Sequence, residues 1–268
     1  MNRIILITIT ALTLVLSNCK QKEANDESQA EKELSRAEII ENKLKKAYPN
    51  FIEKIENNHL IWTDSSTMVF DDMVSNKSFD SLLNYPDIED QFHFIYPMDS
   101  DYLSVLSLNY DPGRIRNDAF LKKMYGSTEE EVKKNLVEII WLPNSDSTKL
   151  QVTTINEVHT KLQNISNELE TLPEELKKYV LKPAGTFKWR VISGTNRLSA
   201  HSFGIAIDIN VNYSHYWKWD VDTNKKFKYQ NKIPLQIVNI FEKHGFIWGG
   251  KWYHYDTMHF EYRPELIN

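Results

Sequence analysis

The sequence predicts an α+β fold, because amphipathic helical patterns and short strand patterns both occur along its 268 residues. A helical period runs over residues 34–47 and is stopped by Pro49. Residues 137–142 and 150–155 have the composition of two strands joined by a turn-rich segment, which predicts a hairpin. The chain is 41% hydrophobic and 26% charged, so it is long and apolar enough to bury a sizeable core.

The same patterns predict the remaining elements. Further helices are predicted at 127–136, 157–169 and 234–244, with a short helix starting at Pro173. Further strands are predicted at 61–62, 68–70, 92–96, 187–192, 205–209 and 258–262. Within 205–209 the three isoleucines share one face, so Asp208 lies on the less apolar face.

The N-terminal residues predict export and a membrane anchor. Residues 4–16 are almost wholly apolar but too short to cross a bilayer as a helix, which is typical of a signal peptide. The run ends in Leu-Ser-Asn-Cys, and Cys19 is the only cysteine of the chain. This ending resembles the bacterial lipobox, so residues 1–18 are predicted to be a lipoprotein signal peptide and Cys19 the lipidated residue. The alternative is an ordinary signal peptide that contains a cysteine, or a short membrane anchor.

Composition divides the rest of the chain into three parts. Residues 19–33 are polar and charged, which predicts a flexible tether. Residues 34–182 are predicted to form an N-terminal α/β extension that packs on a catalytic core at 183–268. Six of the eight glycines and five of the seven tryptophans lie in this last part. Because glycine permits close backbone approach and tryptophan supplies rigid walls, we expect the chemistry there.

Two short segments in this last part carry the candidate functional residues. His201 precedes a strand that contains Asp208, and Asp256 precedes His259, which opens the last strand. An aspartate in an apolar strand is costly to bury unless it is paired or metal-bound. Two histidines and one aspartate form a catalytic type of zinc site, beside which a further carboxylate acts as the base. Asp256 is the candidate base, although each pair taken alone is compatible with ordinary buried residues.

Two neighbours of this segment have open interpretations. Glu261 lies two residues after His259 on the same strand face, where it could orient that ligand. His254 competes as a ligand candidate, but its place in Trp-Tyr-His-Tyr also suits a residue in the wall of a strand.

The order of these motifs resembles the M15 peptidases, a family of D-alanyl-D-alanine carboxypeptidases, dipeptidases and endolysin-type L-alanyl-D-glutamate endopeptidases. The resemblance covers about residues 185–266 and rests on Ser-x-His-x-x-Gly-x-Ala-x-Asp, followed by Asp-x-x-His-Phe-Glu. It implies that zinc is bound by His201, Asp208 and His259, with Asp256 as the general base. It also implies a Hedgehog/DD-peptidase-like domain with a central antiparallel sheet.

The resemblance further implies an arginine that binds substrate and steadies the oxyanion. Ser-Gly-Thr-Asn-Arg at 193–197 is similar to the family's segment and assigns this role to Arg197, but with one extra residue and a short loop before His201. Arg190 and Arg116 are therefore alternatives. An aspartate at position 256, where the carboxypeptidase and dipeptidase branches tend to have glutamate, mildly favours the endolysin-type branch.

The sequence therefore predicts a lipid-anchored, monomeric zinc metallopeptidase of the cell envelope, extracytoplasmic in the periplasm or on the cell surface. Its substrates are expected to be stem peptides of peptidoglycan, cut either as a D,D-carboxypeptidase or as an L-alanyl-D-glutamate endopeptidase. The net charge of −5 gives no indication of nucleic-acid binding. Two alternatives are a non-catalytic, zinc-containing binding lipoprotein of the Hedgehog-like fold, which would need no base beside the metal, and a structural lipoprotein without metal.

Overall fold

The computed structural model describes residues 34–98, 101–223 and 226–267. The predicted signal peptide (1–18) and the predicted tether (19–33) with Cys19 lie outside the described residues. From Leu34 onward the chain groups into one compact unit. Among the residues that the structure describes, no helix has both the length and the apolar character needed to cross a membrane.

Helices and antiparallel sheets make up the fold, which is α+β. The α-helices are α1 (Arg36–Ala47), α2 (Phe79–Asn84), α3 (Asp118–Tyr125), α4 (Glu129–Lys133), α5 (Val158–Glu170), α6 (Glu174–Lys177), α7 (Leu235–Lys243) and α8 (Pro264–Ile267). The strands are β1 (Ile52–Glu56), β2 (His59–Trp62), β3 (Thr67–Val69), β4 (Leu136–Trp141), β5 (Thr148–Thr153), β6 (Ala206–Asp208), β7 (Phe246–Trp248) and β8 (His259–Tyr262). They form the sheets β1-β2-β3, β4-β5 and β6-β8-β7.

The sheet β6-β8-β7 has one apolar face and one face that carries polar residues. Its central strand, β8, pairs with β6 so that Asp208 lies opposite His259. On the apolar face, Phe260 stacks on Phe241 of α7 with ring centroids 3.8 Å apart. Because side chains alternate along a strand, His259 and Glu261 share the other face. The sheet therefore turns its polar residues toward the candidate site.

Helix α1 ties the beginning of the described chain to its end. Ser35 caps the helix by accepting a hydrogen bond from the Glu38 amide, while the Glu38 side chain accepts one from the Ser35 amide. Just after the helix, the buried Tyr48 hydroxyl donates to Glu265 of α8 at 2.6 Å. The early residues are thus packed directly against the C-terminal end of the sheet.

Most predicted elements are confirmed, but two predicted strands are wrong. Residues 92–96 were expected to be extended, whereas a 3-10 helix occupies Glu89–Phe92 and irregular chain follows it. The side chains of Asp87 and Asp90 each accept a hydrogen bond from the other's amide, which turns the backbone just before this segment.

The second wrong prediction concerns residues 187–192, which run irregularly. The segment forms an isolated bridge between Val191 and Leu198 rather than a ladder, and the Ser202 hydroxyl accepts from the Arg190 amide and donates to the Arg190 carbonyl, both at 2.9 Å. A periodic pattern in the sequence does not reveal that a side chain will satisfy these backbone groups. The strands β1 and β7 and the helices α2, α3 and α8 were not predicted.

Candidate metal centre

Three predicted ligands, from separate segments, meet at one point. His201 lies in a 3-10 helix, Ala200–Phe203, that ends at Gly204 with φ +68°. A Cβ atom at Gly204 would lie 2.7 Å from the Leu136 side chain, so a glycine is required at this bend. The bend turns the chain into β6, which carries Asp208, and β8 adds His259 beside it. One potential ligand atom from each of the three lies within 4.8 Å of the others.

Asp208 lies between the two imidazole rings. Its Oδ2 atom is 3.3 Å from His201 Nε2, and its Oδ1 atom is 3.0 Å from His259 Nδ1. The ring centroids of His201 and His259 are 5.2 Å apart. Both histidines are buried. Burial favours the neutral acid, but the two histidines outweigh it and hold the pKa of Asp208 well below its ordinary value.

The outer nitrogen of each histidine is held by an acceptor. His201 Nδ1 is 2.6 Å from the Thr186 carbonyl oxygen, and His259 Nε2 is 3.1 Å from Glu261 Oε2. Because these oxygens accept hydrogen bonds, the outer nitrogens carry the hydrogens, and the lone pairs of neutral rings face Asp208. Two such lone pairs and a carboxylate are a donor set for a metal ion; in the metal-free protein a proton on His259 Nδ1 can bond to Asp208 instead, whereas His201 Nε2 has no hydrogen-bond partner among the described residues. The three side chains therefore fit a metal ion.

Glu261 is fixed in turn by two arginines. Arg116 donates to it from Nε, at 2.7 Å, and also from Nη2, while Arg263 Nη1 lies 3.4 Å away. All three side chains are buried. Burial alone would raise the pKa of Glu261, but Arg116, His259 and Arg263 hold it well below its ordinary value. An ionised Glu261 is the kind of outer partner that orients a metal-binding histidine.

Asp256 lies in the turn before β8 and lines the same cleft as the three predicted ligands. Its amide donates to the Gly249 carbonyl, and its carbonyl accepts from the His259 amide. The buried Oδ1 atom has no hydrogen-bond partner within the described part of the chain. Burial, together with the charge of Asp208, raises the pKa of Asp256 to about 6. This carboxylate is therefore able to exchange a proton near neutral pH.

The other residues singled out from the sequence lie as follows. Arg116 and Arg190 line the cleft, whereas Arg197 lines an adjoining pocket with Asn84 and Asp118. Burial, with the charges of Arg116 and Arg114, lowers the pKa of Arg197 to about 10.

His254 is not in the metal-binding group. Its Nδ1 atom lies 2.6 Å from Asp111, and its ring stacks on Phe79 with centroids 5.9 Å apart. Asp111 therefore already provides a hydrogen-bond partner for a ring nitrogen of His254, the kind of atom that would bind a metal.

Sequence reasoning missed several residues of the cleft, which has a volume of about 160 Å³. Its lining also includes Arg114, Ser199, Tyr216, Lys218 and Trp252. Of these, Arg114 had a recognisable signal, because it directly follows the turn Asp-Pro-Gly.

A comparison with protein families matches residues 193–262 to the family described as D-alanyl-D-alanine carboxypeptidase. This match supports a relationship of the segment to the M15 peptidases. The matched segment contains all three predicted ligands and Asp256, and it supports a peptidase. It does not include Arg114, Arg116 or any earlier residue. No curated protein and no solved structure matches the chain.

Proposed function

We propose that the protein is a zinc-dependent peptidase that hydrolyses the stem peptides of peptidoglycan. One observation carries the proposal: two histidines whose outer nitrogens are bound to acceptors direct their inner nitrogens at Asp208. The M15 match of the same segment gives this arrangement a catalytic interpretation. Two histidines and a carboxylate leave the fourth zinc position open, as catalytic zinc sites do.

The chain's own residues supply the proton transfers. Zinc, when bound at His201, Asp208 and His259, polarises the scissile carbonyl and acidifies the attacking water. Asp256 accepts the proton of that water and delivers it to the departing amine, because its carboxylate lines the cleft with a free oxygen. Its raised pKa suits both halves of this transfer.

The family description supports the proposed substrate, and the N-terminal sequence supports the proposed location. The description D-alanyl-D-alanine carboxypeptidase supports a cell-wall peptide as substrate. The two proposed reactions are removal of a terminal D-alanine and cleavage between L-alanine and D-glutamate. A lipid anchor at Cys19 would hold a monomeric enzyme at the cell envelope, outside the cytoplasm, where such peptides occur.

Metal analysis and digestion of purified peptidoglycan test the proposal together. The full chain should bind about one zinc ion, and mass spectrometry of the products should identify the bond that is cut. The variant His201→Ala should lack both properties. A protein without zinc would contradict the metal site. A zinc-bound protein that leaves every stem peptide intact would favour the non-catalytic binding alternative.

A further inference from the structure

The segment around Asp111–Gly113 is docked at the edge of the cleft. Trp252 Nε1 donates to the Pro112 carbonyl at 2.6 Å, and Arg263 Nη1 donates to the Gly113 carbonyl at 3.0 Å. Gly113 has φ +98°, and a Cβ atom there would lie 2.2 Å from the Ile247 side chain. This segment precedes the family match at 193–262, yet its position is fixed by residues in and next to that match.

Arg114 is the residue that this docking brings into the cleft. Its guanidinium carbon lies 4.6 Å from the ring centroid of Trp252, and its Nη2 atom donates to the His254 carbonyl at 2.6 Å. Trp252 also contacts the predicted ligand His259, with ring centroids 5.6 Å apart. An arginine that is stacked and hydrogen-bonded in advance loses little side-chain freedom when it binds a ligand.

The charge of Arg114 is only loosely compensated within the protein. Its closest carboxylate contact is to Asp111, whose Oδ2 atom lies 3.8 Å from Arg114 Nε. Both oxygens of that aspartate already accept hydrogen bonds from His254. The buried Nε atom of Arg114 has no hydrogen-bond partner in the part of the chain that the structure describes. A buried donor without an acceptor is uncommon, and a water molecule, an ion or a group of a ligand can supply the missing acceptor.

Other positively charged residues line the cleft beside Arg114. Arg190 and Lys218 line it as well, and both are exposed. The acids Asp208 and Asp256 lie at the candidate metal site, and Arg116 is already paired with Glu261. Positive charge therefore faces the open part of the cleft, although the chain as a whole carries a net charge of −5. A cleft of this kind attracts anionic substrates.

We propose that Arg114 binds a carboxylate of the substrate beside the scissile bond and so selects acidic peptides over neutral ones. The planar guanidinium matches a carboxylate, and such charge-assisted pairs are among the stronger hydrogen bonds. The inference rests on the proposed function. A stem peptide offers two such groups, the C-terminal carboxylate and the α-carboxylate of a D-glutamate that is linked through its side chain.

The test compares wild type and Arg114→Gln on two matched pairs of synthetic stem peptides. In the first pair, one peptide ends in a carboxylic acid and the other in an amide. In the second pair, one peptide contains D-glutamate and the other contains D-isoglutamine, in which an amide replaces the α-carboxylate. For one pair, the wild type should prefer the acidic member by about 10- to 100-fold in kcat/KM. In Arg114→Gln this preference should disappear, mainly through KM. The responding pair identifies which carboxylate is bound.

Controls separate this role from a structural one. Arg36→Gln removes an arginine of α1 that pairs with Glu89 and does not line the cleft, so the preference should persist. Zinc content and Tm of Arg114→Gln should match those of the wild type. An equal loss of activity on acidic and neutral peptides would overturn the inference, as would a preference that survives the substitution.

Calorimetric binding of the same peptides distinguishes the inference from the proposed function. If an acidic peptide binds in a way that depends on Arg114 but is not hydrolysed, the proposed peptidase activity is refuted, while the proposed carboxylate-binding site at Arg114 (the anion site) is retained. Hydrolysis that does not depend on Arg114 would refute the anion site alone. Failure of every peptide to bind would refute it too.

Discussion

Glu261 Oε2 lies 3.1 Å from His259 Nε2 and connects the candidate metal centre to two buried arginines. Arg116 comes from the irregular segment before α3, and Arg263 from the residue after β8. The orientation of His259 therefore depends on residues on both sides of the fold. Substitutions of Glu261, Arg116 or Arg263 can therefore test the metal site, as substitutions of the ligands can.

The substitution Glu261→Gln should weaken zinc binding by about 10- to 100-fold, because His259 loses its charged partner. It should also lower the free energy of unfolding of the metal-free protein by about 3–5 kcal/mol, since Arg116 would remain buried without its carboxylate, whereas Arg263 keeps Glu265. Chelator competition measures the first effect and urea unfolding the second. Glu138→Gln removes an exposed partner of Lys149 and serves as control. Unchanged zinc affinity in Glu261→Gln would show that His259 is oriented by other contacts.

The substitution Asp256→Asn should reduce kcat by about 10²- to 10⁴-fold, because an amide cannot accept the proton of the attacking water. Zinc affinity should stay within a few-fold of wild type, as Asp256 is not in the group of three ligand residues. Single-turnover hydrolysis and metal analysis measure the two quantities. Asp64→Asn, which changes an exposed carboxylate paired with Lys123, is the matched control. Full activity in Asp256→Asn would assign the base to another residue.

Zinc affinity should increase with pH, by about tenfold per unit for one displaced proton. Burial favours the neutral ring of His259, but Asp208 and Glu261 outweigh it and raise its pKa from 6.5 to about 9 in the metal-free protein. Zinc must displace that proton, so the gain in affinity should level off above pH 9. Without metal, the stabilisation from this charge is full below pH 6.5 and is lost as the pH rises through 9. Calorimetry in buffers of different ionisation enthalpy counts the released protons, and a count of zero at pH 7 contradicts this assignment.

The substitution Gly113→Ala should destabilise the protein by about 1–3 kcal/mol, because the added methyl group overlaps Ile247 and the backbone has positive φ. It should also displace Arg114 and weaken binding of acidic peptides. Gly194→Ala is a matched control, since Gly194 has φ +81° but, apart from its chain neighbours, no atom of the described residues lies within 4 Å of the place that a methyl group would take. The loss in free energy of unfolding of Gly194→Ala therefore measures the effect of positive φ alone. Equal costs for the two variants, measured by urea unfolding, would remove the role given to the contact with Ile247.

The grouping of His201, Asp208 and His259 could be predicted from sequence because its signals are local. His201 and Asp208 flank one bend, Asp256 and His259 flank another, and strand pairing places Asp208 opposite His259. The class of fold was predictable for the same reason, from helical and strand periods.

The contacts that support the ligands were less accessible to sequence reasoning. The Thr186 carbonyl that holds His201 lies in irregular chain, and its position depends on packing that no periodicity encodes. Glu261 could be named because it shares a strand face with His259, but its arginine partners could not. The turn Asp-Pro-Gly draws attention to Arg114, but its place beside Trp252 depends on a long-range docking contact that the sequence does not reveal.

The hydrogen bond from Tyr48 to Glu265 has a consequence for protein engineering and for recombination between genes. Glu265 also pairs with Arg263, which in turn donates to the Gly113 carbonyl. A cassette of residues 183–268 moved to another scaffold would keep the pair of Arg263 and Glu265, but Glu265 would lose Tyr48 and Arg263 would lose the Gly113 carbonyl. The transferable module is therefore the chain from α1 onward, and a graft that keeps only the ligand-bearing segment needs new partners for Arg263 and Glu265.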